Sequence, residues 1–216
     1  MDFKNAVFDL DGTLIDSMPF WRSTQVGLLR EKFGLKIDEQ ESEKLLYLSF
    51  LEMVEYAKKH INLNVKAYSD VVDKVMKEHY TNGEIPVKPF ALEYLKYLKE
   101  NNVGTALATS TPKDTCMEYI KKSGLYRYLD CIFTTVDDAH EGKANSFKVY
   151  DMAREALGGT LEDTVVFEEA IGCIRTCKKG GYTVYAVKDK LQECHIEEIK
   201  RISDRYINSY SELIGK

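Results

Sequence analysis

The feature that most constrains the fold is an alternation of short apolar runs and amphipathic stretches in the second half of the chain. Strand-like runs cover residues 104–109, 131–136, 164–167 and 183–187. Helical spacing of apolar side chains covers residues 90–98, 112–123, 146–157 and 196–202, and a further helix follows the run 164–167 and ends near residue 179. Together with the run Ala6-Val7-Phe8, these repeated units predict an α/β fold, with a parallel sheet, right-handed crossovers and helices on both faces.

A second region, from about residue 18 to residue 80, lacks strand-like runs. Apolar side chains recur there at helical spacing in three blocks, over residues 28–35, 45–57 and 71–79. The segment Thr81–Pro89 holds two of the four prolines and an Asn-Gly pair, which is typical of a hinge. We therefore predict a helical insert over residues 16–84 in a core formed by residues 1–15 and 85–216.

The composition excludes several classes of protein. The net charge of −5 over 216 residues provides no basic surface for nucleic acid or an anionic membrane. No apolar run approaches the roughly 20 residues that span a bilayer. The five cysteines form no C-x-x-C pair and are interpreted as buried thiols of a cytoplasmic protein. A monomer or weak homodimer acting on a small molecule is expected.

Two acids follow the first strand-like run, in the segment Asp9-Leu10-Asp11-Gly12-Thr13. A hairpin turn around Asp11-Gly12 is one interpretation. A calcium loop is excluded, because the glycine stands at the fourth rather than the sixth position and Leu14 and Ile15 occupy ligand positions. The third interpretation is functional, since carboxylates at the end of a buried strand are costly unless a cation or a reaction uses them.

Three further segments carry polar groups at predicted strand ends or helix starts. Ala108-Thr109-Ser110-Thr111 offers hydroxyl and N–H groups for phosphate oxygens, or simply a helix cap. Gly142-Lys143-Ala144 offers a cation, with Lys148 a weaker candidate one turn later. Phe167-Glu168-Glu169-Ala170 repeats the costly acidic pair, which Mg²⁺ would relieve.

Taken together, these four segments resemble, in order, the signatures of the haloacid dehalogenase superfamily: D-x-D-G-T, a strand-end Ser or Thr, G-K-P-x-P and F-E-D-S. The resemblance spans nearly the whole chain and implies a Rossmann-like core with an inserted α-helical cap. It also implies a Mg²⁺-dependent phosphatase that works through an aspartyl-phosphate on a small phosphorylated metabolite.

The resemblance assigns a role to each matching residue. Asp9 is the nucleophile and Asp11 the general acid and base. Mg²⁺ is held by Asp9, the backbone carbonyl of Asp11, Glu168 and Glu169. The phosphoryl group contacts Asp9, Asp11, Gly12, Thr109, Ser110 and Lys143, with Trp21 as a candidate for the leaving group.

The chain departs from the family pattern at several positions. Glu169 replaces the usual Asp, Ala170 the usual Ser and Cys173 a usual Gly, and the prolines after Lys143 are absent. The β-phosphoglucomutases of this branch carry a histidine where this chain has Trp21. A phosphatase is therefore preferred, with a β-phosphoglucomutase-like mutase and a non-catalytic binding protein as alternatives. Asp11 argues against carbon–halogen hydrolysis.

Overall fold

The computed structural model of the protein describes residues 3–48, 50–82 and 84–215. The chain divides into two compact units, one formed by Met1–Asp16 with Ile85–Lys216 and the other by Ser17–Glu84. Asp16, predicted at the start of the helical insert, lies in the first of these units. Over the described ranges, no helix is long and apolar enough to cross a membrane.

The first unit is built on a six-stranded sheet in which every neighbouring pair runs parallel. The strands are β1 (Asn5–Phe8), β2 (Gly104–Thr109), β3 (Cys131–Thr134), β4 (Thr164–Glu168), β5 (Thr183–Val187) and β6 (Arg205–Ile207). Their order is β3-β2-β1-β4-β5-β6. The chain moves outward from β1 on one side and then returns to its other side, so a topological switch point lies between β1 and β4. The predicted α/β, Rossmann-like fold class is confirmed.

Helices occupy much of the remaining chain. The helices of the second unit are α1 (Met18–Glu31), α2 (Glu39–Leu45), α3 (Phe50–His60) and α4 (Val65–Asn82). Those of the first unit are α5 (Ala91–Glu100), α6 (Lys113–Lys122), α7 (Lys148–Ala156), α8 (Ile171–Lys179) and α9 (Ile196–Ile202).

Both faces of the sheet carry apolar packing. On one face, Val7 belongs to a buried cluster with Val149 of α7 and Ile174 of α8. The next residue, Phe8, points to the opposite face, because successive side chains alternate along a strand. There its ring stacks on Phe167 at 4.4 Å between centroids and lies 6.4 Å from Tyr94 of α5. The sheet is therefore covered on both sides, as predicted for a parallel sheet.

Two predicted elements end differently in the structure. The strand predicted over residues 131–136 stops at Thr134, and a π-type turn covers Thr135–Ala139. The Asp138 side chain accepts a 2.7 Å hydrogen bond from the Thr134 N–H, and the Thr134 hydroxyl accepts one of 2.9 Å from the Asp137 N–H. These local bonds compete with a continued strand.

The helical block predicted over residues 45–57 is also interrupted. It splits into α2 and α3, because the end of α2 tightens into hydrogen bonds between residues three apart. The Leu46 N–H donates to the Glu43 carbonyl and the Leu48 N–H donates to the Leu45 carbonyl, each at 3.1 Å. Strand β6 was not predicted at all. It is only 3 residues long, and such a segment is too short for a periodic pattern to develop.

The cysteines partly follow the expectation of buried thiols. All five are free; Cys116 and Cys177 are buried, whereas Cys194 is exposed. Burial raises the pKa of the Cys116 thiol to about 12. The expectation is therefore wrong for Cys194, which stands in a short 3-10 segment at Lys190–His195 that contributes no buried side chain.

Candidate active site

The loop after β1 turns back on itself at once. The N–H groups of Leu14 and Ile15 both donate to the carbonyl of Leu10, at 2.9 and 3.0 Å, and the Gly12 N–H donates to Ile15 at 2.8 Å. Gly12 has a φ of 89°, a left-handed conformation that a side chain would strain. Both neighbours of β1 are parallel to it, so the interpretation of Asp11-Gly12 as a hairpin turn is wrong.

Lys143 joins the first acidic segment to the last. Phe8 and Phe167 are paired in the parallel register, which brings Asp9 and Glu168 out side by side at the ends of β1 and β4. The ammonium group of Lys143 donates to Asp9 Oδ1, to Glu168 Oε1 at 2.6 Å and to the Ala108 carbonyl at 3.1 Å. The structure thus brings the predicted nucleophile, the predicted cation and one predicted metal ligand together at the switch point.

Glu168 is fully buried and accepts four hydrogen bonds. Besides Lys143, Oε1 accepts the hydroxyl of Tyr150 at 2.7 Å. Oε2 accepts the backbone N–H groups of Glu169 and Ala170, at 3.0 and 3.1 Å. The carboxylate is therefore held rigidly by the turn between β4 and α8 and by α7.

Glu169 reaches the loop after β1. Its Oε2 accepts a 2.7 Å hydrogen bond from the hydroxyl of Thr13, and the residue is only 5% exposed. The side chain that replaces the shorter acid of the family pattern is thus held toward Asp9 by the last residue of the D-x-D-G-T segment. Asp9, Glu168 and Glu169 each offer an oxygen within 4.8 Å of the others.

The electrostatics of this cluster show an excess of negative charge. Burial raises the pKa of Asp9 to about 7; Lys143 opposes this shift, and the charges of Glu168 and Asp11 add to it. Burial and the charges of Glu168 and Asp9 likewise hold the pKa of Glu169 well above its ordinary value. Burial would also raise the pKa of Glu168, but the charge and hydrogen bond of Lys143 lower it below the usual range. One lysine therefore compensates three buried carboxylates only in part.

A divalent cation fits this donor set. Mg²⁺ prefers oxygen ligands, and the three carboxylate oxygens are close enough to surround one ion. The residual negative charge beside Lys143 is what such an ion would neutralise. The chemistry of the residues is thus consistent with the expected cofactor.

The second predicted segment follows β2. Thr109 is fully buried, and its hydroxyl accepts a 3.1 Å bond from the N–H of Thr111. The Thr111 hydroxyl in turn donates to Asp11 Oδ2 at 2.7 Å, which links the predicted general acid to this turn. Ser110, between them, is exposed. Ser110 and Thr111 were predicted as alternative caps of the next helix, but α6 is capped by Pro112 without a side-chain hydrogen bond.

Two candidates lie elsewhere. Lys148 is exposed and pairs with Glu141 at 3.2 Å rather than with the carboxylate cluster. Trp21 lies on α1 in the second unit, where its indole N–H donates to the hydroxyl of Tyr80 at 3.3 Å. A role for Trp21 toward a leaving group stays a prediction.

Three side chains in the site were not assigned roles from the sequence: Thr13, Thr111 and Tyr150. Thr13 and Thr111 lie inside the recognised segments, so their position was known but their partners were not. Tyr150 lies on α7, which begins only at Lys148, so no helical spacing relates it to Lys143 and no local pattern indicated it.

Fold and site together define a Rossmann-like α/β protein with a buried carboxylate–lysine cluster, a candidate catalytic centre, at the switch point of its sheet. The chain matches the haloacid dehalogenase-like hydrolase family over residues 6–187 and therefore belongs to it. The family resemblance in the sequence is confirmed.

Characterised relatives and a solved structure agree with this family. A phosphorylated carbohydrates phosphatase from Thermotoga maritima is 25% identical over 202 residues, which cover 87% of each chain. Validoxylamine A 7'-phosphate phosphatase from Streptomyces hygroscopicus subsp. limoneus is 29% identical over 186 residues, 83% of each chain. The crystal structure of CbbY from Rhodobacter sphaeroides in complex with phosphate superposes with a TM-score of 0.78 at 20% identity, covering 98% of this chain and 96% of that one. The predicted class of enzyme, a phosphoric ester hydrolase of this family, is confirmed.

Proposed function

We propose that this protein is a Mg²⁺-dependent phosphatase that hydrolyses a small phosphorylated metabolite through an aspartyl-phosphate on Asp9. The observation that carries the proposal is the convergence of Asp9, Lys143, Glu168 and Glu169 at the switch point of the sheet. The two relatives, a phosphorylated carbohydrates phosphatase and validoxylamine A 7'-phosphate phosphatase, support the same class of substrate.

The first half of the reaction transfers the phosphoryl group to the protein. A carboxylate oxygen of Asp9 attacks phosphorus in line with the leaving oxygen, and the bond between phosphorus and that oxygen breaks. Asp11 gives a proton to the leaving oxygen, so the product departs as an alcohol. The hydrogen bond from Thr111 orients the Asp11 carboxyl for this transfer.

The second half releases phosphate. Asp11, now ionised, takes a proton from a water molecule while the oxygen of that water attacks phosphorus. The bond between phosphorus and Asp9 breaks, which returns the Asp9 carboxylate and inorganic phosphate. Both residues end in their starting protonation states.

Charge on the transferring group is compensated by the protein and by the metal. Lys143, Thr109 and Ser110 bind the phosphoryl oxygens beside the turn at Gly12. The Gly12 N–H itself donates to the Ile15 carbonyl, so Gly12 contributes close approach of the backbone rather than a hydrogen bond. Asp9, the carbonyl of Asp11, Glu168 and Glu169 would hold Mg²⁺, whose positive charge would lower the repulsion between the nucleophile and the phosphoryl group.

The family resemblance assigns the helical unit the role of a cap that selects the substrate, and it makes Trp21 the candidate for the leaving group. A hydrolase is favoured over a mutase because Trp21 occupies the position of the mutase histidine and offers no comparable acid–base group. Phe50 replaces the arginine of the mutases' substrate loop in the same way. The physiological substrate is a small phosphate monoester.

The test compares the wild type with Asp9→Asn and with Asp16→Asn, an exposed acid on the same segment that serves as a matched control. With p-nitrophenyl phosphate we expect turnover that requires Mg²⁺ in the wild type and in Asp16→Asn, and none in Asp9→Asn. Acid quenching followed by borohydride reduction converts an acyl phosphate to homoserine, and peptide mass spectrometry should find that change at position 9. Turnover by Asp9→Asn at the wild-type rate would overturn the proposal.

The two alternatives have their own outcomes. Incubation with β-glucose 1-phosphate and a sugar bisphosphate primer should yield free phosphate, whereas accumulation of glucose 6-phosphate would support a mutase. Binding of phosphate without turnover of any monoester in a substrate panel would support the non-catalytic alternative.

A further inference from the structure

Tyr150 is a buried phenol that the mechanism above does not use. It lies on α7, is fully buried, and donates its hydroxyl to Glu168 Oε1 at 2.7 Å. The same oxygen accepts the ammonium group of Lys143 at 2.6 Å. Tyr150 and Lys143 therefore share one acceptor atom inside the catalytic centre.

The ring of Tyr150 also contacts Lys143. The Lys143 ammonium nitrogen lies over the ring, 5.4 Å from its centroid. An aromatic face attracts a cation most strongly where water is excluded, and Lys143 is only 5% exposed. Tyr150 thus touches the anion through its hydroxyl and the cation through its ring.

The remaining contacts of Glu168 show why the phenol matters. Its Oε2 is held by two backbone N–H groups, those of Glu169 and Ala170. The other oxygen, Oε1, is held by Lys143 and Tyr150. The Tyr150 hydroxyl is thus a neutral donor that keeps Oε1 directed at the Lys143 ammonium group.

We propose that Tyr150 is a positioning residue of this enzyme: its hydroxyl fixes Glu168, and Glu168 in turn places Lys143 for the phosphoryl oxygens. The inference rests on the proposed function, which assigns Lys143 to those oxygens. It adds a residue outside the four recognised segments to the machinery of the site.

Packing alone is the competing explanation, and Tyr182 separates the two. Both tyrosines are fully buried in the same apolar cluster, with ring centroids 6.3 Å apart. The hydroxyl of Tyr182, however, donates to Asp151 at 2.5 Å and accepts from Arg154 at 3.3 Å, both outside the carboxylate cluster. Tyr182→Phe is therefore the matched control for Tyr150→Phe.

The primary readout is the affinity for inorganic phosphate with saturating Mg²⁺, measured by calorimetry, which needs no turnover. A lost hydrogen bond to a charged group predicts a roughly tenfold weaker affinity for Tyr150→Phe. Tyr182→Phe should bind phosphate as the wild type does, although both variants should lower the melting temperature by similar amounts. Wild-type phosphate affinity in Tyr150→Phe, or an equal loss in both variants, would overturn the inference.

A double-mutant cycle tests whether Tyr150 acts through Glu168. In a Glu168→Gln background, Tyr150→Phe should change phosphate affinity by less than about twofold, because no carboxylate then loses its donor. A repeated tenfold loss in that background would contradict the inference.

The two proposals fail in different ways. Full turnover by Asp9→Asn would overturn the proposed mechanism, but the double-mutant cycle of phosphate affinities would still test the role of Tyr150. If Tyr150→Phe and Glu168→Gln show no coupling in phosphate affinity, the role of Tyr150 is overturned, whereas the proposed metal-dependent turnover through Asp9 is unaffected.

Discussion

The hydroxyl of Thr13 donates a 2.7 Å hydrogen bond to Glu169 across a separation of 156 residues. This contact ties the loop after β1 to the turn after β4, the two segments that supply the carboxylates of the site. The longer side chain of Glu169 therefore has a partner that limits its conformations. Removal of this hydrogen bond therefore tests whether Glu169, which replaces the usual Asp, is positioned to bind the metal.

Replacement of Thr13 by Val should weaken Mg²⁺ binding about tenfold, because one hydrogen bond to a buried carboxylate contributes roughly 1.5–3 kcal/mol. Thr13→Ser, which keeps the hydroxyl, should stay within about threefold of the wild type. Isothermal titration of the metal-free variants with Mg²⁺ measures both. Equal Mg²⁺ affinities in the Val and Ser variants would show that the hydroxyl does not position Glu169.

The pKa of Asp9 predicts how stability depends on pH. The group has a pKa of about 7 in the folded, metal-free protein against a usual 3.8, so folding favours its protonated form. Its contribution to stability is therefore present below about pH 4 and is lost as the pH rises through about 7. Mg²⁺ binds the ionised form and should raise the melting temperature more at about pH 8 than at about pH 5.

Thermal unfolding with Mg²⁺ and with a chelator, at both pH values, checks this prediction. Asp9→Asn serves as the control, since its melting temperature should lose much of this pH dependence. An equal Mg²⁺-induced increase at the two pH values would contradict it.

Removal of the Lys143 charge should affect stability and activity separately. Lys143→Met leaves buried carboxylates without their cation, and breaking a buried pair costs roughly 3–5 kcal/mol. Added Mg²⁺ should restore part of the lost stability, which urea unfolding measures as the free energy of unfolding. The kcat should still fall by about 10²–10³, since a donor to the phosphoryl group is lost. Substantial activity in the Mg²⁺-stabilised variant would exclude Lys143 from the proposed role.

Ala170 offers a gain in stability. It caps the start of α8 in an extended conformation, with ψ of 122° and no side-chain hydrogen bond. Ala170→Ser should supply the missing acceptor and stabilise the protein by roughly 0.5–2 kcal/mol. Denaturant unfolding measures this, with Ala170→Val as a control of similar size that cannot cap. A Ser variant no more stable than the Val variant would argue against the capping explanation.

Trp21 can be tested by separating its ring from its hydrogen bond. Tyr80→Phe removes the partner of the indole N–H and leaves the indole, whereas Trp21→Phe removes both. We expect Trp21→Phe to lower kcat/KM for the best substrate of a metabolite panel by about tenfold, because the smaller ring offers less contact area. Tyr80→Phe should change it less than about threefold. Parallel losses in both variants would indicate a structural role for Trp21.

Local sequence patterns were sufficient for much of the fold. The strands at 104–109 and 183–187 and the helix at 196–202 have the predicted bounds, because buried strands and short amphipathic helices carry their own apolar spacing. Elements without that spacing were missed. Strand β6 is too short, and the turn at Thr135–Ala139 depends on Asp137 and Asp138 binding nearby backbone and hydroxyl groups.

What the sequence by itself determined is therefore the α/β order of the core and the four segments from which the site is assembled, since strand-end acids, glycine turns and apolar periods are local properties. Only the tertiary structure decided how these segments meet. Pairing of Phe8 with Phe167 sets Asp9 beside Glu168, and the partners of Lys143, Thr13 and Tyr150 follow from that register. The physical reason is that hydrogen bonds between distant residues depend on strand register and helix packing, which no local pattern encodes.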